Sequence, residues 1–165
     1  MAITNTAALK GSLKIKKSVV GESSTFKGTF YFTVQNKEGL YYDAASRTFV
    51  SDVKTLSIAY DASKAENDLL VENLDPGMYL VKEVADAAGT AVTDSNFVYE
   101  VSYSNTKDAY VTVEADKTAE VTVTNKKTGE LSVTKQVENN PSDPTEFTIT
   151  VKFTSDETLI VIALP

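Results

Sequence analysis

The sequence contains no cysteine, no histidine and no tryptophan among its 165 residues. Without cysteine the chain forms neither disulfides nor a catalytic thiolate, and without histidine it lacks the common zinc and copper ligands and the imidazole base of serine hydrolases. The absence of tryptophan also leaves a stacked aromatic platform for carbohydrate poorly supplied. We therefore expect no cofactor, no metal and no ordinary enzymatic activity. An exported domain without disulfides needs another source of stability.

Positive charge and long apolar runs are also scarce. The chain has 23 acidic against 16 basic residues and a formal net charge of −7, so it lacks the electrostatic footprint of most nucleic-acid binders. No stretch approaches the roughly 18 consecutive apolar residues of a membrane helix, and residues 1–5 lack the features of a signal peptide. We expect no contact of this segment with nucleic acid or membrane. Either the protein is cytosolic, or export and anchoring signals lie outside this sequence.

Strand-forming residues in strict alternation are abundant. Short apolar and polar alternations are separated by turn signals rich in glycine, proline, asparagine and aspartate. Because no segment has the length and period of a crossover helix, this pattern predicts an all-β, immunoglobulin-like sandwich. Residues 61–68 are a candidate for a single helical turn. The predicted strands are 13–17, 30–34, 48–50, 55–60, 69–72, 79–84, 97–102, 109–114 and 119–125.

The chain also repeats itself. The segment Gly-Ser-Leu-Lys-Ile-Lys-Lys at 11–17 returns as Gly-Glu-Leu-Ser-Val-Thr-Lys at 129–135, and Phe-x-Phe-x-Val returns as Phe-x-Ile-x-Val at 147–151. The two offsets, 118 and 117 positions, match the size of one sandwich domain. We predict a flexible leader at 1–10, a complete domain at 11–127 and the first strands of a second domain at 128–165. This second copy is too short to close a sandwich by itself, so its last apolar segment either packs unusually or completes a neighbour's sheet.

Three polar residues fall on the predicted inner faces of strands. Lys17 shares its parity with Leu13 and Ile15, and Glu83 and Asn125 likewise follow apolar residues of the same parity. An isolated buried ammonium or carboxylate is costly, so burial requires pairing, neutralisation or reaction. The alternative is that Lys17 extends to solvent at its strand end and that the other two residues serve turns.

At these residues the sequence resembles the collagen-adhesin B-type and related pilin domains of Gram-positive surface proteins. Residues 11–17 match the first-strand pattern Gly-x-Leu-x-Val-x-Lys, and residues 121–126 match the last-strand pattern Val-x-Val-x-Asn-Lys. Between them, residues 74–83 resemble Leu-x-Pro-Gly-x-Tyr-x-Val-x-Glu. The resemblance covers about residues 11–127, with three motifs in the expected order.

The resemblance implies an intramolecular isopeptide bond between Lys17 and Asn125, promoted by Glu83. The chemistry suits these residue types, because an apolar site favours the neutral lysine amine that attacks and the protonated glutamate that polarises the carboxamide. Lys135 would be the corresponding lysine of the second repeat, but no matching partners follow it, so we predict no second bond. The residues expected to keep water from the site are Phe26, Phe30 and Phe32.

The resulting expectation is a structural stalk or pilus-subunit module, extracellular and either anchored to the cell wall or built into a pilus. Its partners would be neighbouring repeats or pilin subunits. Two alternatives stay open: an adhesin domain that binds a host ligand, and a spacer or carbohydrate-binding module of a secreted enzyme. An adhesin would carry a long insertion or an exposed aromatic cluster, for which Tyr41, Tyr42, Tyr99 and Tyr103 are the candidates, although an ordinary place on the sheet surface is the favoured interpretation for them.

Overall fold

The computed structural model describes residues 9–104 and 109–129 and two later strands at 147–152 and 159–164. The chain divides into two compact units, Met1–Thr128 and Gly129–Pro165. The strands are β1 (Gly11–Val20), β2 (Lys27–Gln35), β3 (Tyr41–Asp43), β4 (Thr48–Val50), β5 (Leu56–Asp61), β6 (Asp68–Leu74), β7 (Gly77–Val84), β8 (Tyr99–Tyr103), β9 (Tyr110–Val113), β10 (Thr118–Lys127), β11 (Phe147–Lys152) and β12 (Leu159–Leu164). No helix occurs among these described residues, and the all-β prediction is confirmed.

The first unit contains two sheets. Sheet A has the strand order β6-β1-β10-β8. Sheet B has the order β4-β3-β2-β7-β9, and β5 also pairs with the first part of β2. All pairings in both sheets are antiparallel except that of β1 with β10. The opening and closing strands of this unit are therefore parallel neighbours in the middle of sheet A.

Alternation explains why the core forms between these sheets. Along β1 buried residues alternate with half-buried ones from Gly11 to Lys17, because successive side chains of a strand point to opposite faces. Inward positions of both sheets are aliphatic or aromatic and form one cluster. Its fully buried members are Leu13, Ile15, Phe32, Val34, Leu74, Val81, Val113, Val121 and Val123.

Two local features differ from the sequence-based expectations. The short strand β3 was not predicted, because three residues are too few for alternation to be recognised. The segment 61–68 is a turn rather than a helical turn, in which the Lys64 N–H donates to the Asp61 carbonyl at 3.0 Å. The Asn67 side chain fixes this turn, since its Nδ2 donates to the same carbonyl at 3.0 Å and its Oδ1 accepts from the Asp61 N–H at 2.8 Å.

In the second unit, β11 and β12 form an antiparallel pair whose register runs from Phe147 opposite Leu164 to Lys152 opposite Leu159. The last apolar segment thus pairs with a strand of its own unit. Lys135, the lysine of the second repeat, lies outside the described residues, as do residues 1–8 of the predicted leader.

Candidate functional site: a buried lysine, glutamate and asparagine

Lys17 lies in the core because β1 keeps its alternation through seven residues. Leu13 and Ile15 are fully buried on the same face. The side chain of Lys17 follows them inward and has no exposed surface, whereas Lys14 and Lys16 on the opposite face remain partly exposed. Lys17 therefore does not extend to solvent.

Glu83 and Asn125 reach the same layer from different strands. Glu83 lies two residues after the buried Val81 on β7 of sheet B, and its side chain has no exposed surface. Asn125 lies two residues after the buried Val123 on β10 of sheet A and is itself fully buried. Sheet A thus contributes the amine and the carboxamide, and sheet B contributes the acid.

The carboxyl group of Glu83 bridges the other two side chains. Lys17 Nζ donates to Glu83 Oε2 at 3.1 Å, and Asn125 Nδ2 donates to Glu83 Oε1 at 2.8 Å. Lys17 Nζ also donates to the Val123 carbonyl oxygen at 3.3 Å. Asn125 Oδ1, by contrast, is buried without a hydrogen-bond partner. A buried carbonyl oxygen without a donor is uncommon and costs free energy.

Strand register sets the separation of the amine and the carboxamide. In the parallel pairing of β1 and β10, Lys17 lies opposite Val123, so Asn125 is two residues further along the neighbouring strand. Strand spacing and rise put the two Cα atoms about 8 Å apart. A long lysine side chain and a short asparagine side chain on the same face span that separation.

Burial shifts both ionisable groups toward their neutral forms. Desolvation lowers the pKa of Lys17 from 10.5 to about 8, although the Glu83 charge and hydrogen bond act in the opposite direction. Desolvation also raises the pKa of Glu83, against the effects of Lys17 and of the Asn125 hydrogen bond. The site therefore lowers the cost of moving the proton from the amine to the carboxylate.

Of the three phenylalanines, two lie beside this group and the third lies further out. Lys17 Nζ lies 4.6 Å from the centroid of the Phe30 ring. Phe32 is fully buried and is the residue of β2 that pairs with Glu83. Phe26 is partly buried further out, 6.0 Å from Tyr60, which in turn lies 5.9 Å from Phe30.

Two tyrosines of β8 belong to this region, although the sequence placed them among candidates for an exposed cluster. The Tyr103 hydroxyl accepts the backbone N–H of Glu83 at 3.0 Å. The Tyr99 ring lies 6.0 Å from Phe30, and its hydroxyl donates to Glu22 at 2.9 Å. Both residues pack against the core, and Tyr42 is only 7% exposed. These three tyrosines therefore do not form the exposed cluster that the adhesin alternative needs. Tyr99 and Tyr103 have the same parity as Val101 on β8, and this was the signal in the sequence that they share a face with an apolar residue.

Other kinds of site have little support in the part of the chain that the structure describes. Within it, no group of three or more acidic, histidine or cysteine side chains is placed to hold a metal ion. No described helix is long and apolar enough to span a membrane. A surface cleft of about 330 Å³ lies beside Thr33, Tyr41, Lys82 and Val92, on the outer face of sheet B.

Comparison with known proteins gives similarity at the level of solved structures. No family model matches the chain, and no curated protein matches it. The minor pilin GBS52 of the Gram-positive pathogen Streptococcus agalactiae is 21% identical, with 78% of this chain and 49% of that chain covered and a TM-score of 0.47. The major pilin T3.2 of Streptococcus pyogenes is 17% identical, with 73% and 46% covered and a TM-score of 0.47. The pilus-presented adhesin Spy0125 (Cpa) is 18% identical, with 74% and 28% covered and a TM-score of 0.40. The chain spans about half or less of the length of these proteins.

Proposed function

We propose that this chain is a structural module of a bacterial surface stalk or pilus, cross-linked internally by an isopeptide bond between Lys17 Nζ and Asn125 Cγ. The observation that carries the proposal is the buried carboxyl group of Glu83, which is hydrogen-bonded at once by the amine and by the carboxamide. A general acid and base is useful where it contacts both the attacking and the leaving group.

The reaction balances without any other reagent. A proton passes from the Lys17 ammonium to Glu83, and the neutral amine attacks Asn125 Cγ. The C–N bond to Nζ forms, the C–N bond to Nδ2 breaks, and Glu83 carries the amine's remaining surplus proton to Nδ2. Lysine amine and asparagine carboxamide thus become one secondary amide and one molecule of ammonia.

The unpaired Asn125 Oδ1 supports the same chemistry. Turning the carboxamide about its Cβ–Cγ bond exchanges Nδ2 and Oδ1, which brings the unpaired oxygen onto Glu83. Only protonated Glu83 donates a hydrogen bond to that oxygen. The resulting bond polarises the carbonyl and stabilises the negative charge that develops on oxygen during the attack. The competing interpretation is a permanent, unreacted ion pair capped by Asn125, which leaves the unpaired oxygen unexplained.

The position of the bond favours a load-bearing role. Tension applied at the two ends of this unit enters β1 at its first residues and leaves β10 at its last, because these strands are parallel neighbours. A bond from Lys17 to Asn125 carries that tension directly across and leaves the intervening 107 residues unloaded. We infer an extracellular module, wall-anchored or in a pilus, whose partners are neighbouring modules or pilin subunits.

The adhesin and carbohydrate-binding alternatives are less well supported. Both need exposed aromatic side chains, and three of the four tyrosines considered for that role pack in or against the core. The stalk proposal needs no exposed ligand site.

Intact-protein mass spectrometry tests the bond. The unmutated protein should weigh one ammonia less than its sequence, and digestion should yield a branched peptide that joins the segments around Lys17 and Asn125. Lys17→Ala and Asn125→Ala should each restore the full mass. Lys16→Ala, a lysine of the same strand that faces outward, is the matched control and should retain the deficit. A full sequence mass in the unmutated protein refutes the cross-link.

Single-molecule stretching from both ends of the first unit tests the mechanical role. Without the bond, as in Asn125→Ala, unfolding should release the 108-residue span between positions 17 and 125, roughly 350 Å of contour length. The linked protein should show no event of that length at the same force. An equal extension in both proteins contradicts the load-bearing role even where the mass deficit is present.

A further inference from the structure

The backbone N–H of Glu83 finds its acceptor outside its own sheet. Along β7, the Val81 N–H donates to the Ala109 carbonyl at 3.0 Å, next to the first residue of β9. N–H groups of a strand alternate between its two neighbours, so the Glu83 N–H points to the same edge as that of Val81. β9 pairs with β7 only from Gly77 to Leu80. At Glu83 the acceptor is the Tyr103 hydroxyl, at 3.0 Å.

Tyr103 approaches this N–H from the opposite sheet. It lies opposite Val123 on β10, and Val123 lies opposite Lys17 on β1. The three residues form one row across sheet A. The Tyr103 side chain then spans from that row to β7 of sheet B and ends on the residue that supplies the acid.

The strand that carries Tyr103 is itself fixed to β10 at this point. Ser104 N–H donates to the Thr122 carbonyl at 3.0 Å, and its Oγ accepts the Thr122 N–H at 2.9 Å. The tyrosine is therefore held against the same strand that carries Asn125. Its hydroxyl connects the carboxamide's strand to the acid's strand.

We propose that Tyr103 is a positioning residue for the cross-linking reaction, and that its hydroxyl holds the backbone of Glu83 so that the carboxyl lies between Lys17 Nζ and Asn125. This inference rests on the proposed isopeptide bond and goes beyond the three reacting residues. Tyr103 touches none of the reacting atoms in the described contacts, so it acts through Glu83. Loss of the hydroxyl leaves a buried N–H without an acceptor and lets the Glu83 main chain shift.

The test compares Tyr103→Phe with Tyr99→Phe. Both variants remove one hydroxyl from the inner face of β8 and keep the ring, but the Tyr99 hydroxyl bonds to Glu22 instead of to Glu83. The full chain is isolated unfolded and unreacted in guanidinium chloride, diluted into refolding buffer, and sampled over time by acid quench. Intact mass gives the fraction that has lost ammonia, and circular dichroism on the same samples gives the folded fraction.

We expect Tyr103→Phe to fold but to cross-link about tenfold more slowly, the effect of losing one hydrogen bond to a group that acts in the reaction. Tyr99→Phe should react at the unmutated rate. The reaction's pH profile is the readout that a general loss of stability does not move. Without the hydroxyl, water reaches Glu83 and reverses part of the desolvation that raises the pKa of its carboxyl group. The acid limb of the plot of reaction rate against pH should therefore shift to lower pH.

The outcomes separate the two proposals. A full mass in the unmutated chain refutes the cross-link and the role of Tyr103 with it. A cross-linked unmutated chain with an equal rate in Tyr103→Phe refutes only the positioning role. A slower Tyr103→Phe with an unmoved pH profile also overturns it, because the tyrosine would then contribute to folding alone.

Discussion

Replacing Asn125 by alanine removes the electrophile of the proposed bond, and we expect the variant to unfold at a much lower temperature than the unmutated protein. Lys17 and Glu83, which are paired at 3.1 Å, are both kept in this variant, so we expect no uncompensated charge to be left in the core. The loss therefore consists mainly of the covalent constraint on the unfolded chain, with a smaller contribution from one hydrogen bond and a small cavity.

The magnitude follows from the position of the bond. It closes a loop of 108 residues, the difference between positions 17 and 125. Treated like a disulfide of that size, it disfavours the unfolded state by about 5 kcal/mol. A domain of this length unfolds with an entropy near 0.25 kcal/mol per degree, so the melting temperature should fall by about 20 °C.

Asn67→Ala is the matched control for this measurement. Asn67 also makes two hydrogen bonds through its side chain, at 2.8 and 3.0 Å, but it lies in a turn and forms no proposed bond. Its loss should cost roughly 1–2 kcal/mol, or about 4–8 °C. Differential scanning calorimetry on both variants decides the matter. If Asn125→Ala melts no lower than Asn67→Ala, the loop-closure reasoning is refuted.

Three further predictions concern the site and the strands that carry it. In Asn125→Ala the lowered Lys17 pKa, about 8 against 10.5, means that the unfolded chain binds more protons between these values, so stability should rise with pH across that window. The linked protein has no titrating Lys17 amine and lacks this dependence on pH. Between about pH 8 and 10.5, the difference in the free energy of unfolding between the linked protein and Asn125→Ala should therefore narrow by up to about 3 kcal/mol, as measured by urea titration. A constant difference would contradict the lowered pKa. Phe30→Ala should lower the free energy of unfolding by roughly 3–5 kcal/mol, measured by thermal melting. It should also leave part of the protein uncross-linked, measured by intact mass, because water then reaches the Lys17 amine. Complete cross-linking would argue against the ring as a water barrier. Gly11→Ala should destabilise the protein by about 1–3 kcal/mol, because the added Cβ would meet the Glu114 carbonyl oxygen and the Val113 side chain. Gly77→Ala is the control: its Cβ would meet nothing closer than 4.0 Å, and the variant should melt at nearly the unmutated temperature.

Strand parity predicts the inward faces of β1, β2, β7 and β10 from five to seven alternating residues in each. Alternation of that length indicates which side chains share a face without knowledge of the partner strand, and it left open whether Lys17 extends to solvent at its strand end. Lys17, Glu83 and Asn125 were placed inward for this reason. Their shared hydrogen bonds required register, which depends on pairing between distant segments and is not local in the sequence.

The same limit explains what was missed. Tyr99 and Tyr103 are in phase with Val101 on β8, which indicates a shared face, but five residues at a sheet edge do not show how far that face is covered. The hydroxyl of Tyr103 contacts a backbone N–H, and no side-chain pattern encodes that kind of contact. Glu22 similarly joins Tyr99 and Lys127 across 77 and 105 positions of the sequence.

The division of the reacting groups between the two sheets has a consequence for folding. The amine and the carboxamide meet through the pairing of β1 with β10 in sheet A, but the acid arrives only when sheet B packs onto that layer. Before packing, water surrounds all three groups, the lysine stays protonated and the carboxamide is not polarised. The proposed bond therefore forms after the native sandwich has closed, and a misfolded chain is not locked. Because it forms late, it leaves the rate of the first folding unchanged and opposes unfolding only once the native fold is complete, which is the property that a chain under lasting tension requires.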